Sequence, residues 1–168
     1  APVPQSPSAR DTLPRFVDVD YIDASAIARV SKLRSGVGHD YSDDFEDCRS
    51  MKHYFQPREG VDAAAIPITA PVDGTVVEVR QEWAGTQVAI QAEDRPEFTL
   101  LIFHVMPERP LAAGDRVRAG EHLGTHIGDQ TMSDIAVRLT TAEGMRLVSY
   151  FEVMTDHLFA AYRARGLR

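Results

Sequence analysis

The chain has 168 residues, 43% hydrophobic and 26% charged, an ordinary balance for one globular domain able to bury a proper core. Eighteen basic against 25 acidic residues leave a net charge of −7, the wrong sign for a duplex binder, and no Lys/Arg cluster stands out, which argues against a nucleic-acid partner. No apolar run is long enough to span a bilayer, and a single cysteine, Cys48, cannot form an intramolecular disulfide.

The chain opens on Ala1-Pro2-Val3-Pro4-Gln5-Ser6-Pro7-Ser8, a Pro/Ser-rich stretch without methionine that reads like the remainder of a cleaved export signal. Residues 1 to about 14 read as a loosely packed lead. Asp23 to Val30 predicts a short helix capped by Asp23. From Lys32 to Pro57 the chain is polar, aromatic and turn-rich, with His39, Asp40, Asp43, Asp44, Glu46, Asp47, Cys48 and His53 close together.

Beyond Ile66 the character changes to strands. Thr75–Arg80, Thr86–Gln91, Phe98–His104, Ser133–Leu139 and Met145–Ser149 are short, rich in branched or aromatic residues, and bounded by Gly, Asp or Pro. Asp73-Gly74 signals a tight turn, and Ala112–Gly120 holds two turns around a very short strand. The end is helical, with Thr155 as N-cap, Leu158, Phe159 and Tyr162 at helical spacing, and Gly166 as terminator. Together these predict an all-β antiparallel barrel or sandwich with a short N-terminal extension (1–31), a β domain (32–153) and a C-terminal helix (154–168) packed on it.

The chemistry concentrates after a glycine turn, in Gly36-Val37-Gly38-His39-Asp40-Tyr41-Ser42-Asp43. Imidazole and carboxylate are both ordinary zinc ligands, and a catalytic zinc takes three protein ligands plus an open position. An extended chain would hold His39 and Asp43 about 13 Å apart, so the segment must bend to bring both to one ion. The bland reading is a surface loop in which Asp43 accepts hydrogen bonds from backbone donors. His122 and His126 are four apart, but Gly124 and Gly128 argue against a helix that would align them. Cys48 and His53 lack a second cysteine or a CxxC, so an unreactive thiol is the simpler reading.

With these pieces in order the chain resembles the lysostaphin-like, LytM-type zinc endopeptidases, over roughly Arg34 to Glu152. The matching residues are His39 and Asp43 as H-x-x-x-D, Ala70-Pro71-Val72-Asp73-Gly74-Thr75-Val76, Ile102-Phe103-His104-Val105, and Gly114-Asp115-Arg116-Val117-Arg118-Ala119-Gly120-Glu121-His122-Leu123-Gly124. The resemblance implies a duplicated-hybrid-motif β fold, metal ligation by His39 and Asp43, a catalytic role for His104, and a cell-envelope or periplasmic setting. The sequence departs from the family at its final H-x-H motif. Asp134 falls at the first histidine and Ala136 at the second, and alanine offers no lone pair. A compensating set of His39, Asp43 and Asp134 would favour manganese, magnesium or calcium over zinc more than a His-rich set would.

The expectation is therefore a non-catalytic, LytM-like envelope domain with no cofactor. Its groove, lined by Tyr41, Trp83 and His104, would bind a peptidoglycan stem peptide, a glycan or a protein partner. The alternative is an active endopeptidase holding zinc or another divalent metal. A biotinyl- or lipoyl-type carrier would present a lysine at a hairpin tip, whereas the only lysines, Lys32 and Lys52, lie outside the expected β region.

Overall fold

A computed structural model describes residues 13–36, 38, 40–46 and 50–167. Ten strands are present among them: β1 (Ile27–Val30), β2 (His53–Pro57), β3 (Pro67–Thr69), β4 (Gly74–Glu82), β5 (Gly85–Ala92), β6 (Phe98–Pro107), β7 (Arg116–Val117), β8 (His122–His126), β9 (Ser133–Thr141) and β10 (Gly144–Val148). All pair antiparallel in the order β1-β2-β9-β6-β5-β4-β7, with β10 also on β9 and β8 joining β3 to β6. One α-helix, α1 (Asp156–Ala164), ends the chain, its first turn capped by the Thr155 hydroxyl accepting from the Leu158 amide.

The three central strands are buried on both faces, which is why they read as unbroken apolar runs rather than alternating ones. Leu100 and Ile102 of β6, Val88 and Ile90 of β5, and Ile135 and Val137 of β9 enter the main core with Tyr21, Phe55, Tyr150, Phe151 and Tyr162. The residues between them point the other way, because side chains alternate along a strand. Leu101, Phe103, Ala89 and Ala136 form a smaller second cluster with Met51 and Leu147, covered by Leu33, Tyr41 and Met145. Gly74 shows why the Asp73-Gly74 turn needs glycine: a Cβ there would lie 2.2 Å from the Gln91 carbonyl oxygen.

The five predicted strands and the C-terminal helix all form, as does the very short strand β7. Asp23 does cap a helix, but only the 3₁₀ turn Ala24–Ala26. Ile27 and Val30 then run as strand β1, since Ile27 must reach the core and β1 pairs with β2. The described part of 1–31 is thus woven into the domain, with Val17, Tyr21 and Ile27 fully buried. Residues 1–12 lie outside the described residues. Strand β2 falls inside the stretch expected to be irregular, so Lys52 borders the sheet rather than lying away from it.

Candidate functional site

Three charged side chains converge where β2, β6 and β9 meet. Tyr54 of β2 pairs with Asp134 of β9, and Lys52, two residues before Tyr54, falls on the same face. The Lys52 ammonium lies 3.0 Å from Asp134 Oδ2, and His104 Nε2 lies 3.0 Å from Oδ1. The Asp134 side chain is 0% exposed and that of Lys52 only 3%. The lysine also sits over aromatic rings, 3.6 Å from the Phe103 centroid and 4.5 Å from that of Tyr41. Such cation–π contacts help a buried ammonium that has left water.

His104 reaches this position through a break in its own strand. Its φ is +59°, in the left-handed region that a non-glycine residue seldom adopts. At the same place the pairing of β6 with β5 shifts register, between Val88↔Ile102 and Thr86↔Val105. On one side of the break β6 pairs with β9 through Phe98–Ile102; on the other it pairs with β8 through Val105–Pro107. The kink turns the imidazole toward Asp134.

The protonation of His104 follows from its neighbours. Nδ1 is 2.8 Å from the Ala84 carbonyl, which only accepts, so Nδ1 carries a hydrogen. Nε2 faces a carboxylate at 3.0 Å, where a bare lone pair would be repelled, so Nε2 carries one too. Burial disfavours this charged form, but the Asp134 carboxylate outweighs it and holds the His104 pKa above its ordinary value. His126 is also buried, and its Nδ1 accepts from the Gly128 amide at 3.1 Å. Burial, then the neighbouring His104 charge, lower its pKa, so it stands neutral next to a charged partner.

In this arrangement Lys52, His104 and Asp134 pair with one another and do not present converging lone pairs to a zinc ion. Ligation needs converging lone pairs. Lys52 as ammonium has none, His104 carries hydrogen on both nitrogens, and each Asp134 oxygen already faces a cation. Ala136, at the second histidine position of the resemblance, is 1% exposed inside the apolar cluster of Leu101, Phe103 and Met51. Among the described residues no three His, Cys, Asp or Glu side chains are grouped so as to hold a metal.

The expected ligands are placed separately. His39 lies outside the described residues, as does Cys48. Asp43 accepts from the amides of Phe45 and Glu46 at 2.9 Å and of Leu147 at 2.7 Å, the bland reading of that loop. Leu147 on β10 pairs with Arg138, four residues along β9 from Asp134, or roughly 13 Å of strand. Asp43 and Asp134 are therefore not brought together. His53 is held by the Ser31 carbonyl and the Ser149 hydroxyl, both at 2.7 Å. His122 is exposed and His126 buried, at opposite ends of β8. Trp83 and His104 line one groove, while Tyr41 packs edge-on against Phe103 beneath it.

Lys52 is the functional-site residue that sequence reasoning passed over. The available signal was its placement two residues before Tyr54 in a run, Met51-Lys52-His53-Tyr54-Phe55, whose apolar and aromatic content should have marked a strand.

No protein-family model matches the chain, and no curated protein matches it. Solved structures do. A chain from the SpoIIQ–SpoIIIAH pore-forming complex aligns with a TM-score of 0.57 at 14% identity, over 89% of this chain and 98% of that one. A LytM structure from Ruminococcus gnavus ATCC 29149 aligns with a TM-score of 0.52 at 16% identity, over 86% of this chain. The present chain spans 62% of that LytM chain. At such low identity the likeness is one of architecture: this chain has the LytM-type peptidase fold.

Proposed function

We propose that this is a non-catalytic LytM-type domain of the cell envelope that binds a peptide, a glycan or a protein partner in place of cleaving it. The observation that carries this reading is the Lys52 ammonium 3.0 Å from Asp134, the residue that stands at the first histidine of the H-x-H motif in the resemblance. A fixed ammonium neutralises the carboxylate but gives no Lewis acid to polarise an amide and no lowered water pKa. Ala136 contributes a methyl group packed among apolar neighbours, so rebuilding the site would need more than one substitution. The SpoIIQ–SpoIIIAH complex, a structural neighbour, is a protein–protein assembly, which favours a binding role within this fold.

The test is elemental analysis of the purified protein together with digestion of peptidoglycan. The expected result is far less than one equivalent of zinc, no fragment release, and a melting temperature indifferent to chelator. Stoichiometric zinc with chelator-sensitive release of stem-peptide fragments would establish the alternative, an active endopeptidase.

A further inference from the structure

Above the Lys52–Asp134–His104 cluster lies a groove of about 720 Å³. One wall is the chain leaving β2, with Arg58 and Glu59; the other is the β4–β5 hairpin, with Glu82 and Trp83; Asp129 closes the third side. Trp83 is 84% exposed. It does not sit on a loose loop: the next residue, Ala84, accepts from His104 Nδ1 at 2.8 Å, and Gly85 follows at φ +86°. A Cβ at Gly85 would lie 2.3 Å from the Ile127 side chain, so the hairpin tip is packed closely from behind. A rigid backbone thus presents a bare indole at the groove mouth.

The charge of the rim is one-sided. Glu59, Glu82 and Asp129 line the groove, and none of the three is in an ion pair among the described residues. Elsewhere on the surface Glu78, Glu93, Glu108 and Glu121 each have a basic neighbour. Among the described residues lining the groove Arg58 carries the one guanidinium, against three carboxylates. The floor cations, Lys52 and His104, are held against Asp134. The chain as a whole carries −7, which would raise the local concentration of a cationic partner.

We propose that this groove docks an extended segment of a protein partner bearing a lysine or arginine, its alkyl stem and charge laid over Trp83 and its head group toward Glu59, Glu82 and Asp129. This rests on the non-catalytic binding reading above. An aromatic face beside unpaired carboxylates is the arrangement that selects a cation, through the ring quadrupole and direct ion pairing together. A neutral glycan can donate hydroxyl hydrogen bonds to carboxylates, but it forms no ion pair with the three of them.

Trp83 is the only tryptophan of the chain, so its fluorescence reports this groove directly. The probe is the octapeptide acetyl-(Ser-Lys)4-amide, with acetyl-(Ser-Glu)4-amide and chitotetraose as comparisons. The lysine peptide should give a saturable change in Trp83 emission that weakens about tenfold or more between 50 and 300 mM salt. The other two probes should give none. E82Q/D129N should weaken binding of the lysine peptide about tenfold, and W83A, followed by calorimetry, by a similar factor. E93Q/E108Q, which removes paired acids outside the groove, should leave it within twofold. Equal loss in both double variants would mean attraction to the acidic surface at large and would overturn the proposal. So would binding of the glutamate peptide, or of chitotetraose alone. Chitotetraose binding without cleavage would still leave the non-catalytic reading standing, whereas that reading fails only on zinc-dependent peptidoglycan release.

Discussion

Two carboxylates, Asp134 and Asp20, are withdrawn from water in different ways. Asp134 is fully buried, with the Lys52 ammonium and the His104 imidazolium each 3.0 Å away. Asp20 is partly buried and meets no cation among the described residues; its oxygens accept from the Tyr150 hydroxyl at 2.9 Å and from the Tyr162 hydroxyl. Burial pushes its pKa up to about 6, with the two tyrosine hydrogen bonds pulling back. Neutral donors soften the cost of burying a charge, whereas an opposite charge offsets more of it at the expense of dependence on that one partner.

The largest consequence should fall on that dependence. Lys52→Met would leave Asp134 buried beside His104 alone, and is expected to lower stability by about 3–5 kcal/mol in urea unfolding. The double variant K52M/D134L should recover most of the loss, because an apolar pair of similar size can replace a buried ion pair. If the double variant were no more stable than K52M, the ion pair would not be the cause.

Next in size is the attempt to rebuild the family's histidine. Ala136→His places a ring in a packed apolar cluster and should cost about 1–3 kcal/mol by overpacking, without zinc uptake. Zinc bound by A136H at one equivalent would show that Lys52 yields its place easily.

The pH response separates the two carboxylates further. Asp20 keeps its proton to about pH 6 when folded, against 3.8 for the ordinary carboxyl. The folded state therefore binds more protons between those values, and stability falls as pH rises from about 4 to 6, by on the order of 2 kcal/mol. Asp20→Asn should flatten that slope. His104 acts in the adjacent window. Its pKa is raised, so its contribution is complete below 6.5 and is lost as pH climbs through the folded value. H104Q should remove the slope above 6.5 and leave the acidic one intact, read from urea midpoints across pH.

The smallest effect belongs to the rim. Trp83→Ala deletes an exposed side chain and should change stability by less than about 0.5 kcal/mol, which makes any loss of binding in that variant interpretable.

The β framework was legible because its strands are dense in Val, Ile, Leu and Phe, and its turns carry Asp-Gly, Pro and Gly at the positions that need them. Strands β1, β2, β3 and β8 were not, β1 lying where the sequence predicts part of a helix. β2 opens on His53 and Tyr54 within an acidic, aromatic stretch, and β8 is interrupted by Gly124, whose hydrogen atom leaves room for the Met106 carbonyl of β6 at a place where a Cβ would be 2.0 Å away. Asp134 and Ala136 could be singled out from the residues that stand where a family motif should be. For Lys52 the run around it could mark a strand but not its partner, since its meaning comes from pairing across strands eighty residues apart, and no local pattern announces which carboxylate a lysine will meet.

The left-handed backbone at His104 has a consequence for how the position can vary. Side chains branched at Cβ are strongly disfavoured at φ +59°, while glycine, asparagine and aspartate accept it more readily. Drift at residue 104 is thus channelled by chain handedness before any chemistry is selected, so a lineage that abandons the imidazole would tend toward small or amide residues and keep the swivel that lets β6 serve two different neighbours.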